Sequence, residues 1–199
     1  MKLFFLRSSL CRAFFGVFLA ACFEPEAPVN TLAGPKIGER RFRIEHERCD
    51  ASIGTVQSVD MNGDGSSDLL EVQKDGVMVC RSSDLNRDSR PDVFEYFEGT
   101  ALRRRETNLI DASFVTVAET FTGGALTLVE YDTEGKRRID TWDHFNAAGK
   151  IDSRERDTNG DGKIDEWWTY AADGEYSVRI DTNADGEPDE VRRPDRGAR

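Results

Sequence analysis

From residue 41 onward the chain alternates short apolar runs with polar, glycine-rich breaks. Five runs, LLEVQ (69–73), VFEYF (93–97), VAETF (117–121), TWDHF (141–145) and EWWTY (166–170), begin at steps of 24, 24, 24 and 25 residues. Aromatic and β-branched residues alternate within them at period two, which is strand chemistry. Leu70, Phe94, Ala118, Trp142 and Trp167 fall on one face, and Phe97, Phe121, Phe145 and Tyr170 on the other. Between the first set and the second, Glu71, Glu95, Glu119 and Asp143 recur as an acidic ladder. Glycines follow at Gly76, Gly99, Gly124, Gly149 and Gly174, so a turn falls roughly every twelve residues and helices are excluded. The pattern predicts an all-β fold: a meander of about a dozen short antiparallel strands, two per repeat of about 24 residues. Aromatic ladders between repeats would supply the core. An open sheet, a solenoid-like coil and a small propeller-like closure all fit the period. RFRIEHER (41–48) also alternates charged and apolar residues and predicts a first strand.

The polar loops repeat with the strands and carry the chemistry. Asp60-Met-Asn62-Gly-Asp64-Gly65-Ser66-Ser-Asp68 has the form D-x-N-x-D-G-x-x-D. Asp157, Asn159, Asp161, Lys163 and Asp165 stand in the same frame, as do Asp181, Asn183, Asp185, Glu187 and Asp189. Asp84, Asn86, Asp88 and Asp92 keep every acid, with Ser89 in place of the glycine. Calcium takes six to eight hard oxygen ligands, and side chains at alternate positions of a tight loop can converge on one ion. Glycine at position six allows the sharp turn that points the position-seven carbonyl of Ser66, Lys163 or Glu187 inward. Two loops have decayed: Asn108 and Asp111 lack the spacing, and Lys136 stands where the third ligand of the Asp132 loop should be. Three carboxylates about 4 Å apart repel by roughly 4 kcal/mol per pair at an effective dielectric of 20. Two to four calcium ions bound as part of the fold, with an affinity on the order of 10⁻⁴–10⁻³ M, are the expectation.

Asp60 to Glu71, DMNGDGSSDLLE, fits the twelve-residue EF-hand pattern, yet the flanks VQSV and LLEV are strands rather than the helices of EF-hands and dockerins. The stretch VQSVDMNGDGSSDLLEV more closely resembles the calcium hairpin loops of FG-GAP and VCBS repeats, each a nine-residue loop between two strands. Those repeats exceed 24 residues, so the likeness covers loops and flanks only. The short DG-turn hairpins are also similar to MORN-like repeats. At the N-terminus, Lys2, Arg7 and Arg12 precede the apolar stretch AFFGVFLA (13–20), too short to span a bilayer. Leu19-Ala20-Ala21-Cys22 resembles a bacterial lipobox. The resemblance implies a signal peptide over 1–21, lipid on Cys22 and a membrane anchor in the bacterial cell envelope, at the outer membrane or cell surface. Residues 22–39, rich in proline and glycine, read as a flexible tether, and 40–199 as the calcium-loop β-repeat domain.

Cleavage would remove three cations and move the formal net charge from −11 to −14. Such a chain repels phosphate backbones, which argues against nucleic acid. Cys49 and Cys80 are the even pair left for a disulfide in an exported protein; in a flat meander the first strand would have to fold across for them to meet. His46 and His144 lie apart, and no nucleophile elbow, phosphate loop or zinc motif is present. Arg103, Arg104 and Arg105 are expected to pair with the acidic ladder. The reading is a non-enzymatic, lipid-anchored, calcium-stabilised protein with a structural or interaction role. Its alternatives are a calcium-dependent adhesion or glycan-binding module and, behind it, an envelope hydrolase. An envelope protein or a glycan is the class of partner expected.

Overall fold

The computed structural model describes residues 42–108 and 114–193, all within one compact unit spanning Glu39–Arg199. The signal segment 1–21, Cys22, the tether 22–39 and Asp111 lie outside the described residues.

Twelve strands follow in sequence: β1 (Thr55–Val59), β2 (Leu69–Lys74), β3 (Val77–Ser83), β4 (Val93–Glu98), β5 (Ala101–Thr107), β6 (Val117–Thr122), β7 (Ala125–Tyr131), β8 (Thr141–Phe145), β9 (Ile151–Arg156), β10 (Glu166–Tyr170), β11 (Tyr176–Ile180) and β12 (Glu190–Arg192). Each pairs antiparallel with the next, in one sheet whose spatial order is its sequence order. Of the arrangements the period allowed, the chain adopts the open meander. Tight turns lie at one end of the strands, with Gly76, Gly99, Gly124, Gly149 and Gly174 at positive φ, the region where a side chain is penalised. The nine-residue loops lie at the other end. Four hairpins carry a bulge at the same place in the repeat, next to Gln73, Phe97, Phe121 and Phe145.

The register aligns Leu70, Phe94, Ala118, Trp142 and Trp167 in one row with Ser82, Glu106, Glu130 and Glu155 between them. The opposite face carries the predicted acidic ladder, but with cations threaded through it. Arg81 lies between Glu71 (3.7 Å) and Glu95, and Arg105 between Glu95 (3.5 Å) and Glu119 (3.2 Å). Arg154 binds Asp143 by two parallel bonds. Directly opposed unlike charges stabilise cross-strand pairs by about 0.2–1 kcal/mol each, so this face is held by alternation of charge rather than by apolar burial.

Over its described part, 42–48, the predicted first strand does not form. Residues 44–50 have no regular structure; the segment from Phe42 runs across the sheet as a strap. The amide of Ile139 donates to Phe42 O (3.0 Å) beside β8, Ile44 packs on Ile139, Trp142 and Ile164, and Cys49 is bonded to Cys80 on β3. Five strand spacings of about 4.8 Å and seven residue steps of about 3.4 Å both give roughly 24 Å, so the strap is extended. The alternation at 41–48 reports that extension, not a ladder. Closing 31 residues by a disulfide constrains the unfolded chain by about 3–4 kcal/mol.

The strap gives a single-layer sheet something to bury. Two small apolar cores form beneath it, Val72–Cys80–Tyr96 with Cys49, and Ile139–Trp142–Ile164 with Ile44. Between them lies a polar knot around the fully buried Glu106. Its carboxylate is 2.6 Å from His46 Nδ1, accepts from the Glu47 amide (3.2 Å) and pairs with Arg104 (2.6 Å). Tyr96 donates its hydroxyl to Glu47 O. Burial would raise the Glu106 carboxyl, but His46, Arg104 and the Glu47 amide hold it below the usual range.

Candidate metal loops

All the predicted metal loops sit at the same end of the sheet, joining β1 to β2, β3 to β4, β9 to β10 and β11 to β12. Their side chains fall into two groups with different work. The first group is positions one and nine. Asp157 accepts from the amides of Gly160 (2.6 Å) and Gly162 (2.9 Å), and Asp60 from those of Gly63 (2.6 Å) and Gly65 (2.9 Å). Asp84 does the same with Arg87 and Ser89, and Asp181 with Ala184 and Gly186. The donors point inward because positions four and six are left-handed. In the Asp84 loop these are Arg87 (φ 62) and Ser89 (φ 69), so serine holds the conformation that glycine holds elsewhere, at a cost of roughly 1–2 kcal/mol.

Position nine closes the loop onto position two. Asp68, Asp92, Asp165 and Asp189 accept from the amides of Met61, Leu85, Thr158 and Thr182 at 2.6–2.9 Å. Most of these two sets of carboxylates are buried, Asp157 and Asp165 among them. Desolvation pushes Asp181 up, yet the amides of Gly186, Asn183, Ala184 and Asp185 hold its carboxyl below the ordinary value. The charge repulsion expected from three acids is therefore largely met by backbone N–H groups.

The second group is positions three, five and seven, which are mostly exposed. Asn62, Asn86, Asn159 and Asn183 each turn Oδ1 onto the amide of position five, at 2.7–2.9 Å. Asp64, Asp88, Asp161 and Asp185 each turn Oδ1 onto the amide of position seven, which belongs to Ser66, Arg90, Lys163 or Glu187. These are hard oxygen donors of the kind calcium selects. Among the described residues, however, no group of three or more His, Cys, Asp or Glu is already gathered to hold a metal. The donor chemistry suits the ion, while its oxygens rest on the loop's own amides.

The Asp132 loop, which looked decayed, keeps the first group intact. Asp132 accepts from the amides of Lys136 (3.0 Å) and Arg137 (2.6 Å), and Asp140 accepts from Thr133 at position two (2.9 Å). What it lost is the exposed group: Lys136 replaces the position-five acid and instead pairs with Glu134 at 2.7 Å. Asp140 stands eight residues after Asp132, at position nine of the same frame. Arg138, at position seven, reaches the neighbouring loop: its guanidinium lies 3.9 Å from Asp157 Oδ2 and against Gly160. Lys163 likewise donates Nζ to Ala184 O (2.7 Å) in the loop beyond. Neighbouring loops are thus tied by cations from the chain itself.

The remaining charged candidates separate by face. Arg105 joins the acidic ladder, as expected. Arg103 and Arg104 lie on the strap side, Arg103 bonded to Glu47 (3.1 Å) and Arg104 to Glu106. The bulge leaves Arg103 without a partner on β4, which re-aims it. His144 is on the strap face, 3.5 Å from Glu155, and His46 belongs to the knot around Glu106.

No family model matches the chain, and no curated protein is similar to it. A solved structure titled accessory secretory protein 1,2 and 3 in Streptococcus pneumoniae is similar over 69% of this chain and 20% of that chain, at 17% identity and a TM-score of 0.32. The chain spans about a fifth of that structure's length, and at that TM-score the likeness carries no argument. Among the described residues no helix is long and apolar enough to cross a membrane.

Proposed function

We propose that this chain is a lipid-anchored, calcium-stabilised β-repeat protein of the bacterial cell envelope with a structural or interaction role and no catalysis of its own. The observation that carries the calcium reading is the division of labour in the loops. Positions one and nine build the turn whether or not position five is acidic, as the Asp132 loop does, so Asn62/Asp64, Asn86/Asp88, Asn159/Asp161 and Asn183/Asp185 cap exposed loop amides without being what closes the turn. Calcium would take oxygens from these residues, supplying positive charge to an acidic loop end. Each oxygen must first leave a backbone amide, which supports weak binding of the extracellular kind. The anchor rests on the lipobox at Leu19–Cys22 and on the Cys49–Cys80 disulfide, which suits an exported protein.

Intact mass of the protein purified from bacterial membranes tests the anchor: a chain beginning at Cys22 with added acyl mass is expected, and an unmodified Met1 would refute it. Calorimetric titration with calcium tests the loops: weak, multi-site binding is expected, and no heat up to millimolar ion would refute that part.

A further inference from the structure

The two edges of the open sheet are built differently. The β12 edge is three residues long, follows Pro188, and carries Glu190 and Arg192 paired at 2.7 Å; short length, proline and charge are the usual means of blocking strand addition. The β1 edge, Thr-Val-Gln-Ser-Val, has no charge, proline or glycine, and all five residues are exposed. Four of the large exposed apolar residues, Ile53, Val56, Val59 and Met61, are in or beside it. We propose that β1 is an interaction edge, and that its occupant is β1 of a second copy of this chain, paired antiparallel about Gln57.

The hydrogen-bond alternation supports that register. Asp84 N bonds to Asp68 O between β2 and β3, so alternate residues Leu70 and Val72 point their polar groups at β3. Leu69, Glu71 and Gln73 therefore serve β1, through their partners Val59, Gln57 and Thr55. Val56 and Ser58 are left with N–H and C=O directed outward. A two-fold axis at Gln57 sets Val56 opposite Ser58 of the second copy, so each pair exchanges two bonds and the join gains four. Thr55 meets Val59, Gln57 meets itself, and no like charges oppose one another within the strand. The same axis stands perpendicular to the sheet, so both straps lie on one side.

Other occupants fit less well. Phe42 lies beside β8, seven strand spacings or about 34 Å from β1. The six residues between Pro35 and Phe42 span about 21 Å at full extension, short of β1, so from the chain itself the run 29–34, closed by Pro28 and Pro35, is the competing occupant, and a monomer at every concentration would point to it. Head-to-tail growth through β12 meets the blocked edge, so the assembly closes at two. The cost of the join is the approach of two copies that each carry a formal net charge of −11, so pairing should strengthen with salt.

Sedimentation of the full chain, with and without added salt, is the first arm. A concentration-dependent dimer is expected, favoured by salt. Gln57→Lys opposes two like charges at the axis and should weaken the dimer about tenfold or more; Ser58→Pro removes an outward N–H that β2 does not use and should abolish it. Gln57→Cys should cross-link to its own copy under oxidation, whereas Thr55→Cys, which faces Val59, should not. The cysteine pair decides the question should either of the other variants fail to fold. A monomer at every concentration, a dimer indifferent to Gln57→Lys, equal cross-linking at 55 and 57, or an open-ended ladder of species would each overturn the proposal. None of these readouts depends on lipid or calcium, so this proposal and the functional reading fail separately.

Discussion

The loops Asp157–Asp165 and Asp132–Asp140 have the same length, close the same kind of hairpin and sit side by side, yet one is acidic at position five and the other carries lysine. Both anchor their first and ninth carboxylates on backbone amides. The difference lies wholly in the exposed positions. It teaches that the loop has a scaffold that folds the turn and a rim that the scaffold does not require. In the lysine loop the rim is an internal ion pair, and its Arg138 supplies a cation to Asp157 next door. In the acidic loop the rim is left for a cation from outside.

The comparison can be broken most forcefully at the scaffold. Asp165→Ala removes the buried acceptor that holds the amides of Thr158 and Asn159 and both of their side chains, so the loop loses its closure. A loss of about 3 kcal/mol in urea unfolding is expected. Asp140→Ala, with three donors on its carboxylate, should lose a similar amount, with or without calcium. A ninth position that matters only when calcium is present would collapse the distinction.

The rim should behave oppositely. Asp161→Lys copies the lysine loop; in EGTA its unfolding free energy should match the parent within about 0.5 kcal/mol, as for ordinary surface substitutions. In calcium it should forfeit one site's share, about 1.4 kcal/mol when the ion is tenfold above its dissociation constant. The converse double variant Glu134→Asn/Lys136→Asp should gain a calcium-dependent increment of about 1 kcal/mol, read by the same melts.

The smallest effect concerns acid. The Asp181 carboxyl is held below its ordinary value by backbone amides despite its desolvation. Its contribution is therefore complete above about pH 4, the unfolded value, and is lost as pH falls through the lower folded one. Asp181→Asn should lower the melting temperature at neutral pH and flatten its decline below pH 4. An unchanged acid limb would show that the scaffold carboxylates are not what the amides stabilise.

Much of this was legible in the sequence, for a physical reason: a repeat of about 24 residues writes strand, turn and loop several times over. The period-two runs foretold the twelve strands and the two faces, down to Phe97 and Phe121 opposing Phe94 and Ala118. The disulfide between Cys49 and Cys80 was foretold too, with its condition that the leading segment cross the sheet. The same segment carries a strand pattern, because alternation reveals extended backbone and does not distinguish a ladder from a strap. Nothing in the sequence sets Glu106 apart from the other acids; its burial comes from the strap laid above it, a contact some 60 residues distant in sequence. Lys136 removes a ligand position but leaves the carboxylates of Asp132 and Asp140 that close the turn, so a ligand pattern alone does not reveal their scaffold role.

The division between scaffold and rim is tested most directly by one melting comparison: the full chain and its Asp161→Lys variant, each in millimolar calcium and in EGTA. The parent should melt several degrees higher in calcium, and the variant should lose a distinct part of that gain while matching the parent in EGTA. A parent midpoint indifferent to calcium, or a variant that keeps the whole gain, would contradict it.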